Sequence, residues 1–243
     1  MEFHMSYVEG FVLAVPTAKK DEYLRHAAEA APLFKEFGAL RHVEAWGDEV
    51  PDGKVTDFKG AVKAKDDEVV VFSWFEYPDR ATRDAANEKI MSDPRMDAMG
   101  QEMPFDGKRM IYAGFAPIVD AGKKDAMGYT NGMVVPVPSS NKETYKAFAE
   151  TAAEVFIEAG ASRIVDAWGD DVPAGEVTDY ARAVKAQDGE TVVFSWVEWP
   201  SKAAHDAGWE KIMADPRMQP GGAPRPFDGT RMIYGGFSPI LDA

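Results

Sequence analysis

The chain repeats itself once, end to end. Trp46-Gly47-Asp48 returns as Trp168-Gly169-Asp170, an offset of 122 residues. The same offset carries Val71-Phe72-Ser73-Trp74 onto Val193-Phe194-Ser195-Trp196, and Asp93-Pro94-Arg95-Met96 onto Asp215-Pro216-Arg217-Met218. No gap is needed from Tyr7/Tyr129 to Ala121/Ala243, and more than half of the paired positions are identical. A period this long is a duplicated domain, so each copy needs its own core. The expected boundaries are 5–121 and 128–243, joined by a small, polar linker over 122–127. Met1-Glu2-Phe3-His4, ahead of a second methionine, reads as an appended leader outside the fold.

Within one copy, Tyr7 to Val15 is rich in β-formers and closes at Pro16, which predicts a strand. Tyr23, Ala27, Ala31 and Phe34 follow helical spacing, and Gly38 stops that helix. A strand is expected from Leu40 to Trp46. Phe58–Ala64 and Val69–Tyr77 then flank a turn and suggest a β-hairpin. Asp79 opens a second helix through Met91, and Arg109 to Ala116 forms the last strand. The order β-α-β-(β)-β-α-β is an α+β domain with its helices on one sheet face. Val70, Phe72 and Trp74 alternate with Val71 and Phe75, so both faces of that strand are apolar. The helices can cover one face. The sheet of the other copy is expected to cover the second, the two sheets curving around a shared interior.

Composition removes several function classes. With 27 Lys plus Arg against 41 Asp plus Glu, the net charge is −14, which repels phosphate backbones and anionic membranes. No apolar run approaches the ~20 residues of a membrane span. There is no cysteine, which excludes disulfides, thiolate nucleophiles, zinc–thiolate sites and iron–sulfur clusters. No phosphate loop, dinucleotide fingerprint, nucleophile elbow or His-Glu-x-x-His is present. The expectations are accordingly no metal, no cofactor, no nucleic-acid partner and no membrane, with a cytoplasmic location as default.

Tyr7-Val8-Glu9-Gly10-Phe11-Val12, Ala31-Pro32-Leu33-Phe34-Lys35-Glu36-Phe37-Gly38-Ala39 and Val71-Phe72-Ser73-Trp74 resemble the YbaA-like family of uncharacterised small bacterial proteins. Ser92-Asp93-Pro94-Arg95-Met96 and Met103-Pro104-Phe105-Asp106-Gly107-Lys108-Arg109-Met110-Ile111-Tyr112 fit the same family. The match runs the length of each copy. The resemblance implies a ferredoxin-like domain of the dimeric α/β-barrel class, ordinarily one per chain. Two tandem copies would then form an intramolecular barrel, the internal repeat serving as its own dimer partner. The family carries no established activity or catalytic residues. The wider class includes small monooxygenases, haem-handling proteins and isomerases, among which fold alone does not choose.

The four histidines are scattered. His26 aligns with Phe148, His42 with Ile164 and His205 with Arg83, while His4 lies in the leader, so a duplicated histidine site is not expected. His42, two residues from Glu44 on a common strand face, can still form a lone site in the first copy. Glu76/Glu198 ends the third strand and Arg109/Arg231 begins the last. These are expected at one end of the sheet, two strands or ~9.6 Å apart, as an ion pair or a polar anchor at a barrel mouth. Trp46/Trp168, Trp74/Trp196 and Tyr112/Tyr234 are aromatic in both copies and pack a core or line a cavity; Glu44/Asp166 is a candidate base. The candidate lining set is therefore Glu44, Trp46, Trp74, Glu76, Arg109, Tyr112, Asp166, Trp168, Trp196, Glu198, Arg231 and Tyr234. The copies diverge most after Met96/Met218, where only the first can extend a helical turn. The functional expectation is a small-molecule binder or cofactor-independent enzyme using the barrel cavity. The alternative is a non-catalytic structural or stress-related protein with a closed core.

Overall fold

A computed structural model describes residues 6–101, 103–219 and 225–243. The leader at residues 1–4 and residues 220–224 of the divergent second-copy loop lie outside the described residues. The first copy supplies β1 (Tyr7–Pro16), β2 (Arg41–Glu49), β3 (Glu68–Tyr77) and β4 (Ile111–Gly122). The second supplies β5 (Tyr129–Pro138), β6 (Arg163–Asp171), β7 (Glu190–Trp199) and β8 (Ile233–Asp242). The eight strands close into one barrel in the order β1-β3-β2-β8-β5-β7-β6-β4. Each seam joins the last strand of one copy to the second strand of the other: β8 runs antiparallel to β2, and β4 to β6. Closure leaves no free sheet edge, which is how the duplicated chain satisfies its outer backbone groups.

Side chains alternate between the two faces with period two. The inward set includes Val70, Phe72 and Trp74 on β3 and Val192, Phe194 and Trp196 on β7, all in one buried cluster. Phe72 and Phe194 stack with centroids 4.5 Å apart and planes 2° from parallel, and Trp74 and Trp196 lie at 4.8 Å. Gly10 and Gly132 make room for these rings, since a Cβ at either would sit 2.8 Å from Phe194 or Phe72. The outward face carries the helices: α1 (Lys20–Phe37), α3 (Arg80–Ser92) and α4 (Pro94–Gln101) on the first copy, α5 (Lys142–Ala159) and α7 (Lys202–Ala214) on the second. α1 passes through Pro32 without interruption and ends at Gly38, whose φ of 115° suits glycine.

Two expectations about elements are corrected. Phe58–Ala64 is not a strand: Phe58–Ala61 is the short helix α2, and Tyr180–Ala183 is its counterpart α6. Both edges of β3 are already taken by β1 and β2, so no ladder is open to it. The side chain of Asp57 caps the turn by accepting from the Gly60 amide. α2 and α6 close one end of the barrel, Thr56 and Thr178 each donating to a carbonyl of the opposite copy, Ala183 and Ala61. The last strand starts at Ile111, beyond Arg109, and runs on through Gly122 because its second half pairs with β6.

Candidate functional site

The barrel interior, where a ligand cavity was expected, is filled by side chains. Trp74, Trp196, Glu76 and Glu198 all point inward and are fully buried. At the end opposite α2 and α6, Arg41 donates to Glu198 at 2.7 and 3.1 Å, and Arg163 donates to Glu76 at 2.8 and 3.2 Å. Each is a forked contact from one copy to the other, extended by Asp242 on Arg41 and Asp120 on Arg163. Burial alone would raise the Glu76 carboxyl; the guanidinium of Arg163 and the ammonium of Lys124 instead hold it at about 2. Arg41 and Arg163, matched in both copies at the start of a strand, could have been found from that matching.

Arg109 and Glu76 lie at opposite ends of the sheet, contrary to expectation. β3 and β4 both run antiparallel to β1, so they are parallel to each other and their starts coincide. Arg109 therefore meets Glu68, the first residue of β3, through 2.6 and 2.7 Å hydrogen bonds, and also holds Asp106 and the Lys63 carbonyl. Arg231 repeats this with Glu190, Asp228 and Lys185. Both are closed structural pairs. Glu68 is held at about 2 by Arg109.

The outward face differs between copies. Beneath α1, α3 and α4 lies a cavity of about 800 Å³, within the range of small-molecule sites. Phe11, Phe34, Phe75, Phe105 and Tyr112 supply aromatic walls, and Met91, Met96, Met99, Met103 and Met110 an adaptable thioether rim. Of the sequence-predicted set, Glu44 and Tyr112 line it. Trp46 is buried beside it against Tyr23, with Lys20 5.1 Å over its ring. Trp168 is its second-copy equivalent beneath Lys142, and Tyr234, like Tyr112, is half exposed.

The polar groups of the cavity are few and connected. Glu44 accepts from the Tyr23 hydroxyl at 2.6 Å through one oxygen and faces His42 Nε2 at 2.7 Å through the other. A carboxylate only accepts, so the imidazole proton belongs on Nε2 and Nδ1 presents a lone pair. The ring is fixed by stacking on Phe75 at 4.2 Å and by the edge contact with Phe34 at 5.5 Å. His42 Nδ1 is buried with no hydrogen-bond partner. Such a group costs about 1–3 kcal/mol and is uncommon in a native core. An imidazole held by a carboxylate with its other nitrogen free is an arrangement able to take a proton. His26 also lines the cavity, its imidazole lowered by burial. Tyr23, buried against Glu44, is raised well above the ordinary phenol value. Among the described residues no group of three or more His, Asp or Glu side chains is arranged to hold a metal.

Glu9 and Asn87, on the far side of Phe75, were not singled out from the sequence. Glu9 is buried and lines the cavity, accepting from Asn87 Nδ2 at 2.9 Å. Their signal was the difference between copies, since the aligned residues are Asn131 and Trp209. In the second copy the equivalent layer is a packed cluster containing Tyr145, Ala149, Phe156, Ile164, Val197, Trp199 and Ile212. Asp166 keeps the Tyr145 hydrogen bond at 2.8 Å, but Ile164 replaces the imidazole. Burial raises the Asp166 carboxyl.

A closed barrel built from two four-stranded α+β repeats, with helices outside, defines an intramolecular member of the dimeric α/β-barrel class. The described helices include none long and apolar enough to cross a membrane. The chain belongs to the family described as "Protein of unknown function (DUF1428)", which matches residues 6–107 and 128–229. Uncharacterized protein YbaA of Escherichia coli (strain K12) is 68% identical over 116 residues, covering 48% of this chain and 99% of that protein. YbaA of Shigella flexneri gives the same identity and coverage. Among solved structures, a candidate monooxygenase from Fusobacterium nucleatum subsp. nucleatum ATCC 25586 superposes with a TM-score of 0.59 at 9% identity, covering 99% of this chain and 95% of that one. An anthrone oxidase-like protein superposes with a TM-score of 0.57 at 12% identity, covering 100% and 94%. At these identities the likeness is one of fold.

Proposed function

We propose that the first-copy cavity binds a small, largely apolar molecule and that the protein is a cofactor-independent enzyme in which His42 acts as general base. The observation that carries this reading is that His42 and Glu44, joined with Tyr23 in one hydrogen-bonded chain, line the 800 Å³ cavity, His42 keeping one imidazole nitrogen without a partner. Glu44 then serves as the orienting carboxylate, while Tyr23 fixes it. The monooxygenase and anthrone oxidase-like descriptions of the structural neighbours are compatible with such a ligand. The neutral probe 2-naphthol tests the reading by isothermal titration calorimetry. Its hydroxyl suits a free imidazole nitrogen and its rings suit the phenylalanine walls. Binding is expected to the intact chain and to fall at least tenfold in Ala30→Phe, which fills the cavity from α1. Equal affinity in both proteins would refute the site.

A non-catalytic structural role is the second reading. The filled barrel interior and the packed outer layer of the second copy favour it.

A further inference from the structure

The strand register sets Glu9 and His42 on either side of one ring. Glu9 pairs with Phe75 across β1 and β3, and His42 pairs with Phe75 across β3 and β2. The two functional residues thus stand in one row of the cavity floor, two strands or about 9.6 Å apart at Cα. The next row holds Phe11, Ser73 and Glu44.

We propose that Glu9 is the proton donor of this cavity, working opposite His42, and that the ligand is an uncharged, enolisable carbonyl compound. The inference rests on the reading of His42 as base. A carbonyl oxygen and its neighbouring carbon lie about 2.4 Å apart, and a ~3 Å reach at each end makes roughly 8 Å, of the same order as the Cα separation across the row. His42 Nδ1 takes a proton from that carbon. The C–H pair becomes the enol C=C bond, the carbonyl π pair moves onto oxygen, and oxygen takes the proton of Glu9. The ligand stays neutral, leaving an imidazolium and a carboxylate, and the reverse step restores both. No oxidant or reductant enters. Glu44 and Asp97 around an apolar cavity oppose an anionic ligand.

Three further observations favour this assignment. Burial raises the Glu9 carboxyl, outweighing the Asn87 hydrogen bond and the charge of Arg83 that pull it down, while Asp171 and Asp84 add to the rise. Arg83 stands 3.6 Å from Glu9 and is engaged more closely by Asp171 at 2.7 Å, Tyr7 at 3.1 Å and Asp84 at 3.1 Å. In the second copy acid, base and holder disappear together, as Asn131, Ile164 and Trp209, while Tyr145, Asp166, Ser195, Phe156 and Phe227 keep their places. Asn131 there is committed between Trp199 Nε1 and His205 Nε2, leaving a purely structural amide.

The test follows deuterium incorporation into 2-tetralone by NMR in buffered D₂O, using the full chain. The wild type is expected to exceed the buffer rate, and Glu9→Gln, which keeps shape but cannot supply the proton, to lower the maximal rate about 10²–10⁴-fold with KM nearly unchanged. His42→Gln should lose the rate as well. Wild-type exchange in Glu9→Gln alongside loss in His42→Gln would overturn Glu9 as donor and leave the base standing. Undiminished exchange in His42→Gln would overturn the base, and a wild type no faster than buffer would overturn both. In the folded proteins at neutral pH, the infrared difference between wild type and Glu9→Gln should contain a protonated-carboxyl band lost in the variant. Identical spectra would also defeat the assignment.

Discussion

In the first copy, α1 and α3 stand over Glu9, Phe11, His42, Glu44 and Phe75; in the second, α5 and α7 stand over Asn131, Met133, Ile164, Asp166 and Val197. The backbone plan is the same, and so are the tyrosine on the first helix and the carboxylate it meets. What changes is whether the layer closes. Trp209 packs 5.5 Å from Phe156, whereas the aligned Asn87 holds Glu9 and lines a cavity. α4 occupies Pro94–Gln101 of the first copy, where the described residues of the second form the 3-10 turn Pro216–Met218. A duplicated domain can thus leave a cavity in one copy while the other completes its sheet. β8 of the second copy pairs with β2, and the Ala243 backbone exchanges two hydrogen bonds with that of His42.

The sharpest way to break this comparison is to make the first copy resemble the second. His42→Ile is expected to bring 2-tetralone exchange down to the buffer rate, a loss of about 10²–10⁴-fold, with little change in thermal midpoint. Isoleucine already serves at the aligned position against the same backbone. A variant retaining the rate would mean that the histidine difference is incidental. Paired truncations come next. Phe156→Ala, in the packed layer, should cost about 3–5 kcal/mol in urea unfolding, and Phe34→Ala, beside an existing cavity, about half that. Equal costs would show that the two layers are equally filled.

The smallest effect concerns the barrel end that both copies share. Glu76 is depressed from an ordinary carboxylate value near 4.5 to about 2. Its contribution is therefore present above pH 4.5 and lost as pH falls toward 2, a window worth on the order of 3 kcal/mol. Lys124 reaches Glu76 from the segment between copies. Lys124→Ala should cost below about 1 kcal/mol and move acid unfolding to slightly higher pH. An unchanged acid transition by circular dichroism would remove Lys124 from the account.

Several site residues were legible individually, but their arrangement was less so. Glu44 and His42 could be paired from spacing alone, because two residues on one strand face are neighbours in any sheet. Arg109 was placed at the wrong end, since its position depends on β3 and β4 being parallel, a relation set by β1 between them. The unmatched histidines told against a duplicated site, and the same mismatch marks where the first-copy cavity differs from the packed second-copy layer. Glu9 was hidden because one carboxylate on a strand looks alike whether it faces water or a cavity.

The sequence by itself determined the duplication, the α+β order of each copy and the need for the copies to cover each other. Those follow from local periodicity and from apolar residues on both strand faces, which no single layer can bury. Only the tertiary structure decided which space is full and which is open. That choice turns on how side chains from distant segments sum their volumes in one layer. Two aromatic pairs close the barrel interior; beneath the first-copy helices, a cavity remains beside an asparagine where the second copy has a tryptophan.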